Sequence, residues 1–299
     1  IWAVYIIFTV ANFLLLWLAG MNWFDAINHA FATISTGGFS TKNTSIAYFN
    51  SDAIVWITTF FMTISGINFL AHIRLMKGDY KCYNTEETKW YIGVIIFLSI
   101  ALALVHTSTS TDSLYTSLTH SFFTVTTLAT TTGFMSTDYE QWGQFALMFV
   151  ILAMMVSANT GSTAGGIKII RYILFFKNIG LEIKRSLRPD VITSIFIDGK
   201  QIRNSIISSI FGFFALYLLT VFMIAMYLYA RGFDFLTSFS ATVATVGNIG
   251  PGLGDVGPTN NYAFFSWYDK IILSIGMIIG RLECYTVFII LSRTFWKRF

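Results

Sequence analysis

Three short runs of threonine, serine and glycine hold the residue types best suited to chemistry: TISTGGFST at 33–41, LATTTGFMS at 128–136 and TVATVGNIG at 242–250. Registered on one glycine, they align Gly38, Gly133 and Gly247. Thr36-Gly37, Thr131-Thr132 and Thr245-Val246 stand before those glycines, and Asn248 follows the last. Such a run can stay extended and turn its carbonyls toward a common axis. Glycine accepts the positive φ that alternating carbonyl directions require, and threonine adds a hydroxyl oxygen. Converging carbonyls replace the water shell of a dehydrated cation.

Two further features belong with these runs. Residues 157–166, SANTGSTAGG, contain three glycines and no large apolar side chain, although they interrupt an apolar stretch. Each glycine costs about 1 kcal/mol relative to alanine in a helix, so the helix breaks there, and the break must face protein or water. Gly161 to Lys168 resembles a Walker A loop, but the lysine is displaced by one position, no Ser/Thr follows it and no strand precedes it. The stronger reading is an intramembrane loop beneath the Thr/Gly runs, made of Asn159, Thr160, Gly161, Ser162, Thr163, Ala164, Gly165 and Gly166; a packing kink of small residues is the alternative. The second feature is Arg281, near the middle of the apolar stretch 271–291. A charge at that depth needs a cavity or a partner, and Glu283, two residues on, points to a different helix face. Arg281 therefore reads either as an electrostatic barrier beside the loop or as one half of an interhelical ion pair.

The surrounding sequence shows what must position these residues. Only 11% of the 299 residues are charged, against about 25% in soluble domains, so the chain cannot cover its surface with polar groups and reads as an all-α polytopic membrane protein. Stretches near the roughly 20 residues that a span requires lie at 1–20, 53–76, 90–106, 142–177, 204–230 and 263–292. The longest two require tilt or a break. The chain opens inside an apolar stretch with no initiator Met and no basic region before it, which reads as a missing beginning rather than a signal peptide. Every Thr/Gly run follows a span and a short amphipathic segment and precedes another span. The chain is thus three tandem span–re-entrant–span units, 1–77, 78–188 and 189–299, with the loop 157–168 inside the second.

Net charge is only +4, but fifteen Lys and Arg residues cluster at 74–89, 168–203 and 293–298, while Lys42, Arg231 and Lys270 alone occupy the opposite side. The positive-inside rule places the clusters in the cytoplasm and the Thr/Gly runs outside. Outside also gather Asp25, Asp52, Asp112, Asp138, Glu140, Asp234, Asp255 and Asp269, an acidic rim that would attract cations. An intramembrane enzyme is the rival from another class. It needs a nucleophile–base pair or metal ligands, and His29, His72, His106, His120, Cys82 and Cys284 lie too far apart in sequence to suggest either.

The motifs STGGFST, TTTGFMST, ATVGNIGPG, NTGSTAGGIK and GRLE together resemble the Trk/Ktr/HKT superfamily of potassium transporters, nearest to its bacterial TrkH branch, over essentially the whole sequence. The resemblance implies four such units around one pore, of which three are present here. It also implies potassium uptake or symport across the bacterial inner membrane, with K⁺ as the transported ion. Implied filter residues are Thr36, Gly37, Gly38, Thr131, Thr132, Gly133, Thr245, Val246, Gly247 and Asn248; the implied gate is the 159–166 loop with Arg281. Implied partners are a second copy in a homodimer, a TrkA-like cytoplasmic nucleotide-binding ring and the lipid bilayer, with no nucleic acid. Sodium or mixed sodium/potassium passage through the same architecture remains the alternative.

Overall fold

A computed structural model describes residues 1–188, 194–282, 284–291 and 293–296; Glu283, Lys297 and Arg298 lie outside them. Long helix, short helix and broken helix recur three times. The first set is α1 (Trp2–Leu18), α2 (Trp23–Ile34) and the pair α3 (Asp52–Ser65) and α4 (Phe69–Met76). The second is α5 (Glu86–Thr109), α6 (Leu114–Ala129), α7 (Gln144–Met155) and α8 (Ile169–Leu187). After a two-stranded hairpin, β1 (Phe196–Ile197) and β2 (Lys200–Gln201), come α9 (Asn204–Ala230), α10 (Phe235–Val246), α11 (Trp267–Arg281) and α12 (Cys284–Leu291).

Among the described residues, α5 and α9 are each long and apolar enough to cross a membrane, and their outer faces expose Phe97, Leu104, Leu218, Phe222 and Met226. The short helices α2, α6 and α10 sit inside. Each starts at a polar cap: Asn22 accepts from Asp25 N, Ser113 from Thr116 N and Asp234 from Thr237 N. Their threonines return hydroxyl protons to carbonyls one turn back, as Thr33 does to His29 O and Thr242 to Ser238 O. These bonds satisfy part of the buried polar content of the short helices; in α6 the hydroxyls of Ser117, Ser121, Thr126 and Thr127 are buried with no partner among the described residues. The sets join head to tail, α3 packing on α6 and α7 on α10. The largest core lies between them, around Leu102, Val125, Leu128, Val150, Leu228 and Val246.

The stretch 53–76, expected as one span, is corrected to two helices bent by 95°. Gly66 ends α3, and the Asn68 side chain caps α4 by accepting from Leu70 N. The break at 156–168 was expected. The third second-span helix also stops, at Arg281. The acidic rim is corrected too. Asp269 is buried, completes a capping box with Ser266 and accepts from Tyr227 Oη at 2.9 Å and Arg231 Nε at 3.2 Å. Asp25 is buried against Asn22, Thr41 and Lys42, while Asp138 and Asp234 cap helices. Burial pushes the Glu140 carboxyl upward against the pull of Gly254 N–H, and Asp138 and Asp255 add to the rise. These acids hold the outer loops together, and Asp52, Asp112 and Asp255 stay exposed.

Helix α11 approaches α10 through Gly276 and Gly280, a small-xxx-small face. A methyl carbon on Gly280 would lie 1.8 Å from Val246 O. Overfilling a close-packed contact of this kind costs about 1–3 kcal/mol or more. Gly280→Ala should therefore lower the melting temperature in detergent by several degrees, as read by intrinsic fluorescence. Gly93→Ala, on α5 with nothing within 4 Å of the added carbon, should leave it unchanged or slightly raised.

Candidate functional site

All three Thr/Gly runs leave their short helix by one geometry. Thr36 N donates to Thr33 O, Thr131 N to Leu128 O and Asn248 N to Thr245 O, each at 3.0–3.1 Å. The next residue donates five back: Gly37 to Ala32 O, Thr132 to Thr127 O and Ile249 to Ala244 O, at 2.8–2.9 Å. Thr36, Thr131 and Asn248 all take left-handed φ, +51°, +55° and +56°. Two residues on, the chain turns positive again at Gly38, Gly133 and Gly250.

This pattern corrects the register of the third run. Gly250, not Gly247, is the counterpart of Gly38 and Gly133. Thr245 and Val246 lie in the last turn of α10, and Gly247 is its C-cap with φ −70°. The non-helical stretch is Asn248-Ile249-Gly250. Asparagine tolerates the left-handed turn better than the β-branched threonines at 36 and 131, where the same conformation is uncommon and strained.

The runs lie side by side around an axis. A methyl carbon on Gly38 would fall 1.8 Å from Thr132 O, and one on Gly133 would fall 2.2 Å from Ile249 O. Each glycine is thus required twice, by its φ and by the neighbouring carbonyl. A carbon on Gly250 would meet nothing within 4 Å, so the arc is open on that side. Polar straps fix each outgoing strand to its own helix: Asp25 with Thr41, His120 with Ser136 at 3.2 Å, and Thr237 Oγ1 with Asp255 N at 3.1 Å. His29 bonds Ser40 at 2.9 Å, His72 bonds Tyr83, and His106 stacks on Trp142.

Residues 157–168 form a closed loop directly beneath the arc. Its ends are stitched by Ser157 N to Ile167 O and Ile169 N to Ala158 O. Gly165 N donates to Thr131 Oγ1 at 2.7 Å, which ties the loop to the Thr/Gly arc. Asn159 N bonds Gly66 O, and Phe69 N bonds Gly161 O, so the bend between α3 and α4 seats the loop. From the third set, Arg281 Nη2 donates to Thr163 O at 2.9 Å. The structure thus brings Arg281 to the loop, at the end of α11. Lys168 Nζ turns inward to Ala164 O at 2.6 Å, and helix α7, not a strand, precedes the loop, which leaves no phosphate cradle.

Sequence reasoning missed Ile249 and Gly250. A partial signal was present: Gly38 lies sixteen residues after its helix cap at Asn22 and Gly250 sixteen after Asp234, although Gly133 lies twenty after Ser113 because α6 is one turn longer. It also missed the bend at Gly66, which has only one glycine to mark it. Thr131→Val should release the loop from the arc at a cost of about 1–3 kcal/mol, the penalty for a buried donor left unmet. Hydrogen exchange by mass spectrometry should then rise across 160–166 with little change in α6.

Comparison with known proteins follows the same lines. Residues 1–297 match the family TrkH, described as cation transport protein. The chain is 37% identical to the Trk system potassium uptake protein TrkH of Salmonella typhimurium, over 99% of its own length and 62% of the relative's. It is 33% identical to TrkG of Escherichia coli, across 99% of this chain and 61% of that protein. The crystal structure of the potassium transporter TrkH from Vibrio parahaemolyticus superimposes with a TM-score of 0.93 at 34% identity, covering 99% of this chain and 64% of that one. The chain thus spans a little under two thirds of these relatives.

Proposed function

From the premise that this chain belongs to the TrkH family of cation transport proteins, we propose that it carries three filter segments and the gate of a potassium uptake pore. The observation that supports this most is the shared backbone geometry of 36–38, 131–133 and 248–250, with each glycine set against its neighbour's carbonyl. In this reading the carbonyls of these residues replace the water shell of K⁺. A fourth segment of the same kind, whichever chain supplies it, closes the open side beside Gly250. The short helices α2, α6 and α10 end at the filter, so the negative ends of their dipoles add cation attraction there. Glycine at all three ring positions supports potassium over sodium.

Below the filter, the loop 157–168 obstructs the axis and Arg281 adds a fixed positive charge beside it. Both are the gate. Units 1–77, 78–188 and 189–299 carry the filter segments on the outer side of the bacterial inner membrane, with the basic loops in the cytoplasm. The basic surface suits docking of a nucleotide-binding TrkA-like ring on a homodimer.

Gly250→Ala in the full-length protein should reduce the preference for ⁸⁶Rb⁺ over Na⁺ in proteoliposome uptake. Val246→Ala, which trims a packing contact of α10 with α11, should leave that preference unchanged. The opposite outcome would return the filter to Thr245-Val246-Gly247. For the gate, one unit charge pair at 4 Å is worth about 4 kcal/mol at an effective ε of 20. Pore water and a larger separation reduce this to about 1–2 kcal/mol, a roughly five- to thirty-fold change in rate. Arg281→Ala should raise K⁺ flux by that factor with selectivity retained. Lower flux together with a large fall in melting temperature would make Arg281 a packing residue instead.

A further inference from the structure

The loop beneath the filter is held from a second direction. Arg281 and Thr131 grip Thr163 and Gly165. The other limb of the loop, where Thr160 and Gly161 are exposed, meets the first turn of α5. There Glu87 Oε1 accepts the backbone N–H of Thr160 at 2.7 Å, and Thr88 Oγ1 accepts from Asn159 Nδ2 at 2.9 Å. A hydrogen bond to a charged acceptor is stronger than a neutral one, and Thr160 N has no helix or strand to supply another acceptor. Asn159 is fully buried, whereas Glu87 is half-buried at the cytoplasmic end.

That turn of α5 is itself held from the cytoplasm. Asp198 Oδ1, in the hairpin between β1 and β2, accepts from Glu86 N at 2.7 Å. Lys177, on the helix that leaves the loop, reaches Glu86 Oε1 at 2.6 Å and the carbonyl of Phe196 at 2.7 Å. A continuous polar chain therefore runs from the hairpin through Glu86 and Glu87 to the loop. Beside it opens a cleft of about 440 Å³, walled by Arg74, Lys77, Glu87, Asn159 and Asp198. The hairpin is seated on apolar side chains through Ile197, which packs against the main core and against the Leu174, Leu181, Ile195 and Ile210 cluster, while Asp198 at its turn borders the cleft.

We propose that Glu87 is a positioning residue of the gate: its carboxylate latches Thr160, and the 196–201 hairpin is the handle through which a cytoplasmic event releases the latch. This rests on the reading of 157–168 as the gate. Neither the family match nor the sequence motifs single out Glu87 or Asp198. The latch needs an acceptor oxygen, not a charge as such, so Glu87→Gln preserves it in weaker form and Glu87→Ala removes it.

The test is ⁸⁶Rb⁺ uptake by the full-length protein in proteoliposomes without any cytoplasmic partner. Glu87→Ala should raise flux about three- to tenfold, the effect of losing one hydrogen bond of ordinary net strength at a half-exposed site, with the Rb⁺/Na⁺ preference unchanged. Glu87→Gln should stay within about twofold of the parent, as expected when an acceptor remains. Asp198→Ala, whose carboxylate bonds Glu86 N rather than the loop itself, should raise flux in the same direction by less, and it stands in should Glu87→Ala fold poorly. Hydrogen exchange over 158–164 should rise in Glu87→Ala and not in Glu87→Gln. Equal flux in the Ala and Gln variants, or no rise in either Glu87→Ala or Asp198→Ala, overturns the latch. Deleting 160–165 in the same assay separates the two readings. Raised flux on deletion with an inert Glu87→Ala discards the latch and keeps the gate, and unchanged flux on deletion discards both.

Discussion

Backbone that leaves the helix inside a bilayer must find protein partners for its N–H and C=O groups, and that constraint governs this molecule. Water is scarce at that depth, and each unmet group costs several kcal/mol. The Thr/Gly strands meet the requirement by donating back into the short helices they leave, Gly37 to Ala32 O, Thr132 to Thr127 O and Ile249 to Ala244 O. Of their carbonyls, Gly250 O accepts from Tyr262 Oη at 2.8 Å; in the proposed reading the others face the axis. Polar caps at the starts of the short helices and back-bonded threonines such as Thr33 and Thr242 meet part of their own polar demand from within. The long helices α5 and α9 present apolar outer faces around this polar interior, and the first turn of α5 also supplies acceptors to the loop.

The same constraint explains why three second-span helices break at one level. The loop at 157–168 needs acceptors and donors outside itself, and an intact helix has none to spare. The bend after α3 frees Gly66 O and Phe69 N, and both go to the loop. The end of α11 frees Arg281 to reach Thr163 O. A close approach of α11 to α10 at Gly280 makes that reach possible. Breaks in the first and third sets thus serve the loop of the second, a division of labour that a symmetric repeat would not have.

This asymmetry sets what the sequence could reveal. Repetition was legible: three Thr/Gly runs between apolar stretches gave the order of elements, and the glycines at 161, 165 and 166 marked the longest break. Register was not, because the eye aligns Gly247 with Gly38 on identity, whereas the backbone aligns residues by φ and by hydrogen bonds to the preceding helix. Asn248 occupies the left-handed position that threonine holds in the other copies, so residue type misleads there. The bend after α3 was hidden for a related reason. Ser65-Gly66-Ile67-Asn68 is compatible with a helix, and only the partners Tyr91, Asn159 and Gly161, distant in sequence, make the bent form the better one. The outer acids misled because a carboxylate looks alike in sequence whether it faces an ion or caps a helix, and Asp25 and Asp269 turned out to be buried among donors.

In the proposed reading two opposed fields meet along the axis. Helix C-termini and filter carbonyls would make the upper part attractive to a cation, while Arg281 would make the level of the loop repulsive. Attraction alone would trap the ion, since a site that binds too well does not conduct. Repulsion placed one step below leaves the filter's hydration-replacing geometry untouched and acts only on passage. Arg281 Nη2 is held by the loop carbonyl of Thr163, a neutral acceptor that leaves the guanidinium charge in place. On that reading a movement of the loop also changes the position of the guanidinium bonded to it, which would couple the steric and the electrostatic obstacle.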